Sequence, residues 1–345
     1  MSKPRIGIIN VTGYVGIELA RILCQHPEVE LVSITGRSAA GQKLGQVFPH
    51  LASIDLTIEA RLSEVDLAFS SMPHIESAKE VIPLVNCGVK VVDMSADFRL
   101  KNTGEYLRWY GFEHPAPQLL AQAVYGIPEL QREKIVQTSL VANPGCYPTC
   151  SILALAPAIA AGIIEPDIII DSKSGVSGAG RSLKLGSLFS EANEDLAAYS
   201  LDGHRHLPEI VQELGAMYSG ETPRITFVPH LIPMTRGMLS TCYARLIPDK
   251  LSGNNLKEAI RQLYLDYYAD EPFIRITEAP PHTRHTQGSN FCHIYPAIDS
   301  RTGKLIVISC IDNLGKGAAG QGVQNMNLML GFPETTGLMT PALFP

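Results

Sequence analysis

The chain lacks an apolar run long enough to cross a bilayer. Residues 152–164 form a strongly apolar stretch, but Pro157 and Gly162 break it, and a span needs about 18 consecutive apolar residues. The N-terminal Met1-Ser-Lys-Pro-Arg5 leads into neither the apolar core nor the small-residue cleavage site of a signal peptide. A cytoplasmic location is therefore expected. Positive charge is scarce: 28 Lys and Arg against 34 Asp and Glu leave a net charge of −6. That balance leaves no footprint for nucleic acid or an anionic membrane, so a phosphorylated ligand must be held by local cations or helix ends. The seven cysteines (Cys24, Cys87, Cys146, Cys150, Cys242, Cys292 and Cys310) are odd in number and contain no CxxC pair. In a chain this long they read as reduced thiols. His282, His285 and the Cys292-His293 pair have no recognised ligand spacing, so no metal is expected. Internal repeats and low-complexity linkers are absent as well.

What is present fits a globular protein. With 345 residues, 45% hydrophobic and 18% charged, the chain has room for about two domains, each with its own core. Residues 6–9 form a short β-branched run, and residues 29–35, 67–70 and 90–93 read as further strands. Helical patterns fall between them, among them residues 16–24 and 75–86. This alternation predicts right-handed crossovers and an α/β, mostly parallel, doubly wound sheet. After about residue 145 the strands (168–171, 224–228, 240–246 and 305–311) are more numerous than the helices, which predicts a mixed α+β domain. Residues 317–330 read as a helix that returns to the first domain. The expected domains are therefore 1–145, completed by 311–345, and 146–310.

The first turn reads Asn10-Val-Thr12-Gly13-Tyr14-Val15-Gly16, directly after strand one and opening helix one. Glycines there permit a tight turn and close approach of backbone to a pyrophosphate, and the helix N-terminus offers amides and positive dipole. Asn10 stands at the expected first glycine, and it is the residue that next best tolerates left-handed backbone. A site for NAD would end strand two in an acidic residue that holds the ribose hydroxyl. Here Thr35-Gly36-Arg37-Ser38 supplies an arginine and a hydroxyl, which suit the 2′-phosphate of NADP.

Asn143-Pro-Gly-Cys146-Tyr-Pro-Thr149 meets the apolar helical pattern of residues 152–161. A thiol at a helix N-terminus is favoured as thiolate, and a thiolate is both nucleophile and acyl carrier. Cys24, Cys242 and Cys310 lie inside apolar patterns and read as small buried hydrophobes; Cys150 is one turn beyond Cys146 and reads as packed inward. Gly203-His204-Arg205-His206 and Glu209 concentrate imidazoles, a guanidinium and a carboxylate. A group that titrates near neutrality is needed to move protons beside a thiol. His206 is assigned that task with His204 as alternative, since in an extended segment the two share a face. Arg205 or Arg99 would clamp a carboxylate or phosphate, and Glu209 would orient a histidine or bind a substrate amide. Ser177 and Gly178 lie in a second Gly/Ser loop that suits phosphate or the nicotinamide ring. Asn313 in a third loop would reach the carboxamide, while Lys184 and Lys316 read as solvated cations.

Together these segments resemble the N-acetyl-γ-glutamyl-phosphate reductase family of arginine biosynthesis. The resemblance runs through Thr12-Gly-Tyr-Val-Gly16, Arg37-Ser-Ala-Ala-Gly41, Ser95-Ala-Asp-Phe-Arg99, His114-Pro-Ala-Pro117 and Asn143-Pro-Gly-Cys-Tyr-Pro-Thr149. It continues through Lys173-Ser-Gly-Val-Ser-Gly-Ala-Gly-Arg181, Gly203-His-Arg-His206, Pro229-His-Leu-Ile-Pro-Met-Thr-Arg-Gly237, Gly288-Ser-Asn-Phe-Cys292 and residues 312–330. It implies a Rossmann dinucleotide-binding domain and a catalytic and dimerisation domain of the glyceraldehyde-3-phosphate dehydrogenase-like type. It further implies NADP at the first turn, Cys146 as thioester nucleophile, a histidine of the 204–206 pair as acid/base, and a homodimer or homotetramer. The implied reaction is reduction of N-acetyl-L-glutamyl 5-phosphate to the semialdehyde. The alternative is the same chemistry on a carrier-linked aminoadipyl phosphate or aspartyl phosphate. Asn10 and Cys150 depart from the family pattern, where glycine, and glycine or alanine, are usual.

Overall fold

The computed structural model describes residues 2–218, 220–251 and 255–344; the expected outer domain limits at residues 1 and 345 lie outside them. The chain divides into two compact units, Met1–Pro144 with Ala318–Thr340, and Gly145–Gly317 with Pro341–Pro345.

The first unit is built on seven strands: β1 (Arg5–Ile9), β2 (Glu30–Thr35), β3 (Ile58–Glu59), β4 (Leu67–Ser70), β5 (Lys90–Asp93), β6 (Val124–Tyr125) and β7 (Leu140–Ala142). They lie in the order β3-β2-β1-β4-β5-β7-β6, and every pair is parallel. The Val, Ile and Leu side chains of β1, β4, β5 and β7 are buried, as a sheet covered on both faces requires, while Leu31, Val32 and Val124 toward the edges are half-buried. The order reverses between β1 and β4, where doubly wound folds bind ligands beyond the strands' carboxyl ends. The helices of this unit are α1 (Tyr14–Leu23), α2 (Leu44–Val47), α3 (Glu76–Asn86), α4 (Thr103–Tyr110), α5 (Pro117–Gln122) and α6 (Pro128–Gln137). The helix Gly320–Met329 also packs here, against α1, α6 and β5, and all ten of its residues are buried. Cys24, expected to be a buried hydrophobe, is instead exposed. It caps the C-terminal end of α1, beyond the apolar face, and its Sγ donates to the Arg21 carbonyl at 3.2 Å.

The second unit holds a mixed sheet of β8 (Ile164–Gly175), β9 (Ala197–Ala198), β10 (Arg224–Ile232), β11 (Met238–Leu246), β12 (Ile274–Ile276), β13 (Cys292–Asp299) and β14 (Lys304–Ile311). Its order is β12-β13-β14-β11-β8-β10-β9. Helices α7 (Cys146–Ala160), α8 (Phe189–Ala192), α9 (Leu207–Gly215) and α10 (Leu256–Tyr267) belong to this unit. Helix α7 packs on β11 and β14, with α9 and α10 beside it. It is buried almost throughout despite Pro157 in its interior. Proline cannot donate to the carbonyl one turn back, and here Tyr268 Oη donates to that Leu153 carbonyl instead, at 2.7 Å. Burial alternates along the sheet, so that Leu239, Thr241, Tyr243, Tyr295, Ile306 and Ile308 are half-buried and Ile169 is 42% exposed.

Candidate active site

The first unit presents its turn at the end of β1. Asn10 adopts a φ of 63°, the left-handed geometry that its side chain tolerates. It is pinned there by Nδ2 donating to the Ser71 carbonyl at 2.9 Å and by Thr12 Oγ1 donating to its Oδ1 at 3.3 Å. Gly13 caps α1. A Cβ on Gly16 would lie 2.6 Å from the Asn10 carbonyl oxygen and 2.7 Å from Val11 Cα, so only glycine lets α1 start so close to the strand. Tyr14 is exposed and Thr12 and Val15 are half-buried, around an accessible helix start. Arg37 and Ser38 are exposed at the end of β2, in the short helical turn Arg37–Ala39. The guanidinium meets Glu76 at 3.0 Å. A glycine cradle at a helix N-terminus beside an exposed cation fits a dinucleotide phosphate.

Arg99 is buried, contrary to an open anion clamp. Its Nε donates to the Asn143 carbonyl at 2.7 Å and its Nη2 to the Met94 carbonyl at 3.0 Å. Asn143 is held further by its amide on the Asp93 carbonyl, by Nδ2 on the Ala318 carbonyl and by Asn325 on its Oδ1. The arginine thus braces the segment that leads to residue 146.

In the second unit Cys146 is the first residue of α7, with Gly145 as N-cap, and it is half-buried. A Cβ on Gly145 would meet His206 Nε2 at 2.4 Å, so the imidazole lies against the backbone that precedes the thiol. A Cβ on Gly317 would lie 2.9 Å from Cys146 Cβ, which closes another side. Glu209 stands in the first turn of α9 and is fully buried. Its Oε2 accepts the Gly145 amide at 3.2 Å, so the carboxylate fastens the turn before Cys146 to the helix that His206 caps.

His204 and His206 do not lie in an extended segment. His206 has helical φ and ψ as the N-cap of α9, yet the two rings remain in contact, with centroids 4.7 Å apart. Burial and the Arg205 charge depress His204 to about 4. Arg205 is exposed. Tyr147 and Tyr199, which sequence reasoning missed, pack edge-on to His204 at 5.5 Å each. Burial raises both phenols, Tyr199 to about 12, and the Cys146 charge contributes to each shift. Tyr147 adjoins Cys146 in sequence and was open to discovery; Tyr199 carried no local signal.

Ser177, Gly178 and Asn313 come together. Asn313 Nδ2 donates to Ser177 Oγ at 2.9 Å, its Oδ1 accepts the Gly237 amide at 2.8 Å, and a Cβ on Gly178 would approach that Nδ2 to 3.7 Å. Lys316, expected to be a solvated cation, is buried with its ammonium 5.5 Å from the Phe273 ring centre, while Lys184 is exposed. The π-helical turn Gly315–Ala319 carries Lys316 inward. Cys150 is buried, its thiol on the Ser309 carbonyl and hydroxyl at 3.4 Å each, and burial raises it. Among the described residues no cluster of three or more His, Cys, Asp or Glu could hold a metal, and no helix is long and apolar enough to cross a membrane.

Residues 5–138 match the family described as "Semialdehyde dehydrogenase, NAD binding domain", and residues 146–313 match "Semialdehyde dehydrogenase, dimerisation domain". The fold resembles aspartate semialdehyde dehydrogenase II from Vibrio cholerae (TM-score 0.70, 16% identity, 96% of this chain and 99% of that one). It also resembles aspartate semialdehyde dehydrogenase with NADP from Candida albicans (TM-score 0.70, 16% identity, 95% and 99%). An N-acetyl-gamma-glutamyl-phosphate reductase of Dehalococcoides mccartyi is 57% identical over the full length of both chains. One of Pelotomaculum thermopropionicum is 51% identical over 99% of each. With a dinucleotide-binding first unit and identity of this depth from end to end, the chain belongs to the N-acetyl-gamma-glutamyl-phosphate reductase family of oxidoreductases.

Proposed function

We propose that the protein reduces N-acetyl-L-glutamyl 5-phosphate to N-acetyl-L-glutamate 5-semialdehyde with NADPH, releasing phosphate, through a thioester on Cys146. The observation that carries this reading is the thiol at the first position of α7 with the His206 imidazole against the preceding Gly145. The helix start favours thiolate. Its sulfur attacks the acyl carbon, the carbon–oxygen bond to phosphate breaks, and a thioester remains on Cys146. NADPH, when bound at the Gly13–Gly16 turn with its 2′-phosphate on Arg37 and Ser38, supplies the hydride. His206 hydrogen-bonds the carbonyl oxygen as it gains charge and holds the exchanging proton there. The carbon–sulfur bond then breaks, and the thiolate and aldehyde part. Sulfur makes the step feasible because a carboxylate resists hydride whereas a thioester accepts it. Glu209 keeps the turn in register through the Gly145 amide. Ser177 and Asn313, buried and hydrogen-bonded to each other, hold the loop that offers the exposed Gly178 backbone to the nicotinamide carboxamide. Arg205, exposed beside the histidines, is the cation offered to the substrate.

The half-exposed apolar positions of the second sheet, Tyr243, Tyr295, Ile306 and Ile308 with Ile169, are the face we assign to a second copy of the chain in a homodimer or homotetramer. All seven cysteines are free thiols, which suits a reducing cytoplasm.

The test is mass spectrometry of enzyme mixed with the acyl phosphate and no NADPH. An N-acetylglutamyl adduct on the peptide bearing Cys146 is expected, and its absence, or its placement elsewhere, refutes the scheme.

A further inference from the structure

A chain of side-chain hydrogen bonds lies beside Cys146, and its direction is forced from both ends. The His230 carbonyl can only accept, and Tyr147 Oη donates to it at 3.1 Å. Tyr147 has one proton, so at its 3.2 Å contact with Tyr199 Oη it accepts. The Tyr199 proton is thereby engaged, and 3.4 Å from His204 Nε2 the Tyr199 oxygen must accept. Nε2 therefore carries hydrogen. At the other end the His206 backbone amide can only donate, and it does so to His204 Nδ1 at 3.1 Å. That nitrogen must be bare. Both ends demand the same neutral, Nε2-protonated ring.

The surroundings agree. The rings of Tyr147, Tyr199 and Phe227 stand edge-on around His204, each 5.5 Å away, and burial with the Arg205 charge depresses it to about 4. A second proton on the ring would set N–H against N–H at His206.

We propose that Tyr147, Tyr199 and His204 form a positioning bracket for the reacting pair. It is a one-way hydrogen-bond chain in which donation runs from the His206 amide through His204, Tyr199 and Tyr147, the residue after Cys146, to the His230 carbonyl, and it keeps His204 itself out of proton transfer. The chain's two ends flank the pair: Tyr147 follows Cys146 in α7, and the amide that His204 holds belongs to the residue whose imidazole abuts Gly145. The bracket's catalytic consequence rests on the proposed roles of Cys146 and His206; the protonation of His204 does not.

Long-range proton–nitrogen spectra of histidine-labelled protein read that protonation directly. One imidazole, identified by its loss in His204→Gln, is expected to keep the Nε2–H pattern from about pH 8 to about pH 5 while ordinary histidines titrate near 6.5. An Nδ1–H pattern, or a midpoint near 6.5, overturns the proposal. Tyr199→Phe keeps the ring and removes two links. It is expected to lower kcat roughly tenfold with KM for the semialdehyde nearly unchanged, as misplacement of a reacting group does. An unchanged kcat overturns the positioning role. Loss of the acyl adduct scheme alone would leave the His204 spectrum as described, so the two failures are told apart.

Discussion

Replacing Gly145 by alanine tests the nucleophile–imidazole geometry most directly. The backbone there has φ −69° and ψ 156°, which any residue adopts, so the substitution costs nothing locally in conformation. Its whole effect comes from the added methyl, whose carbon would sit 2.4 Å from His206 Nε2, 2.7 Å from Cδ2 and 2.8 Å from Cε1. Ordinary contact needs about 3.5 Å, so the ring must retreat by about 1 Å. A displacement of that size between reacting groups costs on the order of 100-fold in rate. The assay is the reverse reaction, with semialdehyde, phosphate and NADP, followed by NADPH absorbance; circular dichroism and alkylation of Cys146 monitor fold and thiol. Gly186→Ala, where an added Cβ meets nothing within 4 Å, is the control. A Gly145→Ala enzyme that keeps its kcat within about twofold while folded would refute the view that His206 works from this position.

Four further outcomes are expected. In native protein, iodoacetamide should modify Cys146 and the exposed Cys24 and Cys87 but spare Cys150, Cys242, Cys292 and Cys310, all buried; peptide mapping that finds a native adduct on Cys150 contradicts this. Arg37→Ala should reduce the preference for NADP over NAD by roughly tenfold or more, the scale of a charge-assisted contact. Glu76→Gln, which releases the guanidinium held at 3.0 Å, should lower the KM for NADPH; steady-state kinetics with both cofactors decides, and an unaltered preference in Arg37→Ala removes that residue from the site. Finally, His204 falls from 6.5 to about 4 in the folded protein. Between those values the unfolded chain binds more protons, so stability is full above about pH 6.5 and is lost as pH drops, by about 3 kcal/mol. Asp93, raised to about 6 by burial and Asp97, works in the opposite sense: it favours the folded state as pH falls from about 6 toward 3.8. Urea midpoints across this range should show the acid-side loss shrinking in His204→Gln, and a profile identical to the parent would contradict it.

The first unit was largely readable because its inner strands are covered on both faces, so that short apolar stretches such as Leu67–Phe69 and Val91–Val92 stand out between helical patterns. The Asn10 turn was readable because so few residues tolerate positive φ. Strand β8 runs from Ile164 to Gly175, well beyond the apolar run at 168–171, since Asp167, Ser172 and Lys173 interrupt the pattern. Strand β13 shows no clear strand pattern in sequence, since Pro296 stands in its middle and proline is rare in a central strand. Its neighbour β12 pairs only with Cys292–Ile294, so at Pro296 the strand has an edge on that side and the missing donor is harmless. In the proposed site, Cys146 and His206 were legible because each sits in a short stretch of chemically distinctive residues. The contributions of Tyr199, 52 residues from Tyr147, and of Lys316 against Phe273 exist only once the sheet is assembled.

The helix Gly320–Met329 has a consequence for the order of events during synthesis. Every one of its ten residues is buried, and it belongs to the unit that begins the chain, although the ribosome makes it only after residues 145–317. The nucleotide-binding unit therefore waits, with the groove beside α1, α6 and β5 unfilled, until residues 145–317 have emerged. A nascent chain arrested before residue 318 would hold the second unit short only of its last residues, 341–345, and an unfinished dinucleotide-binding one.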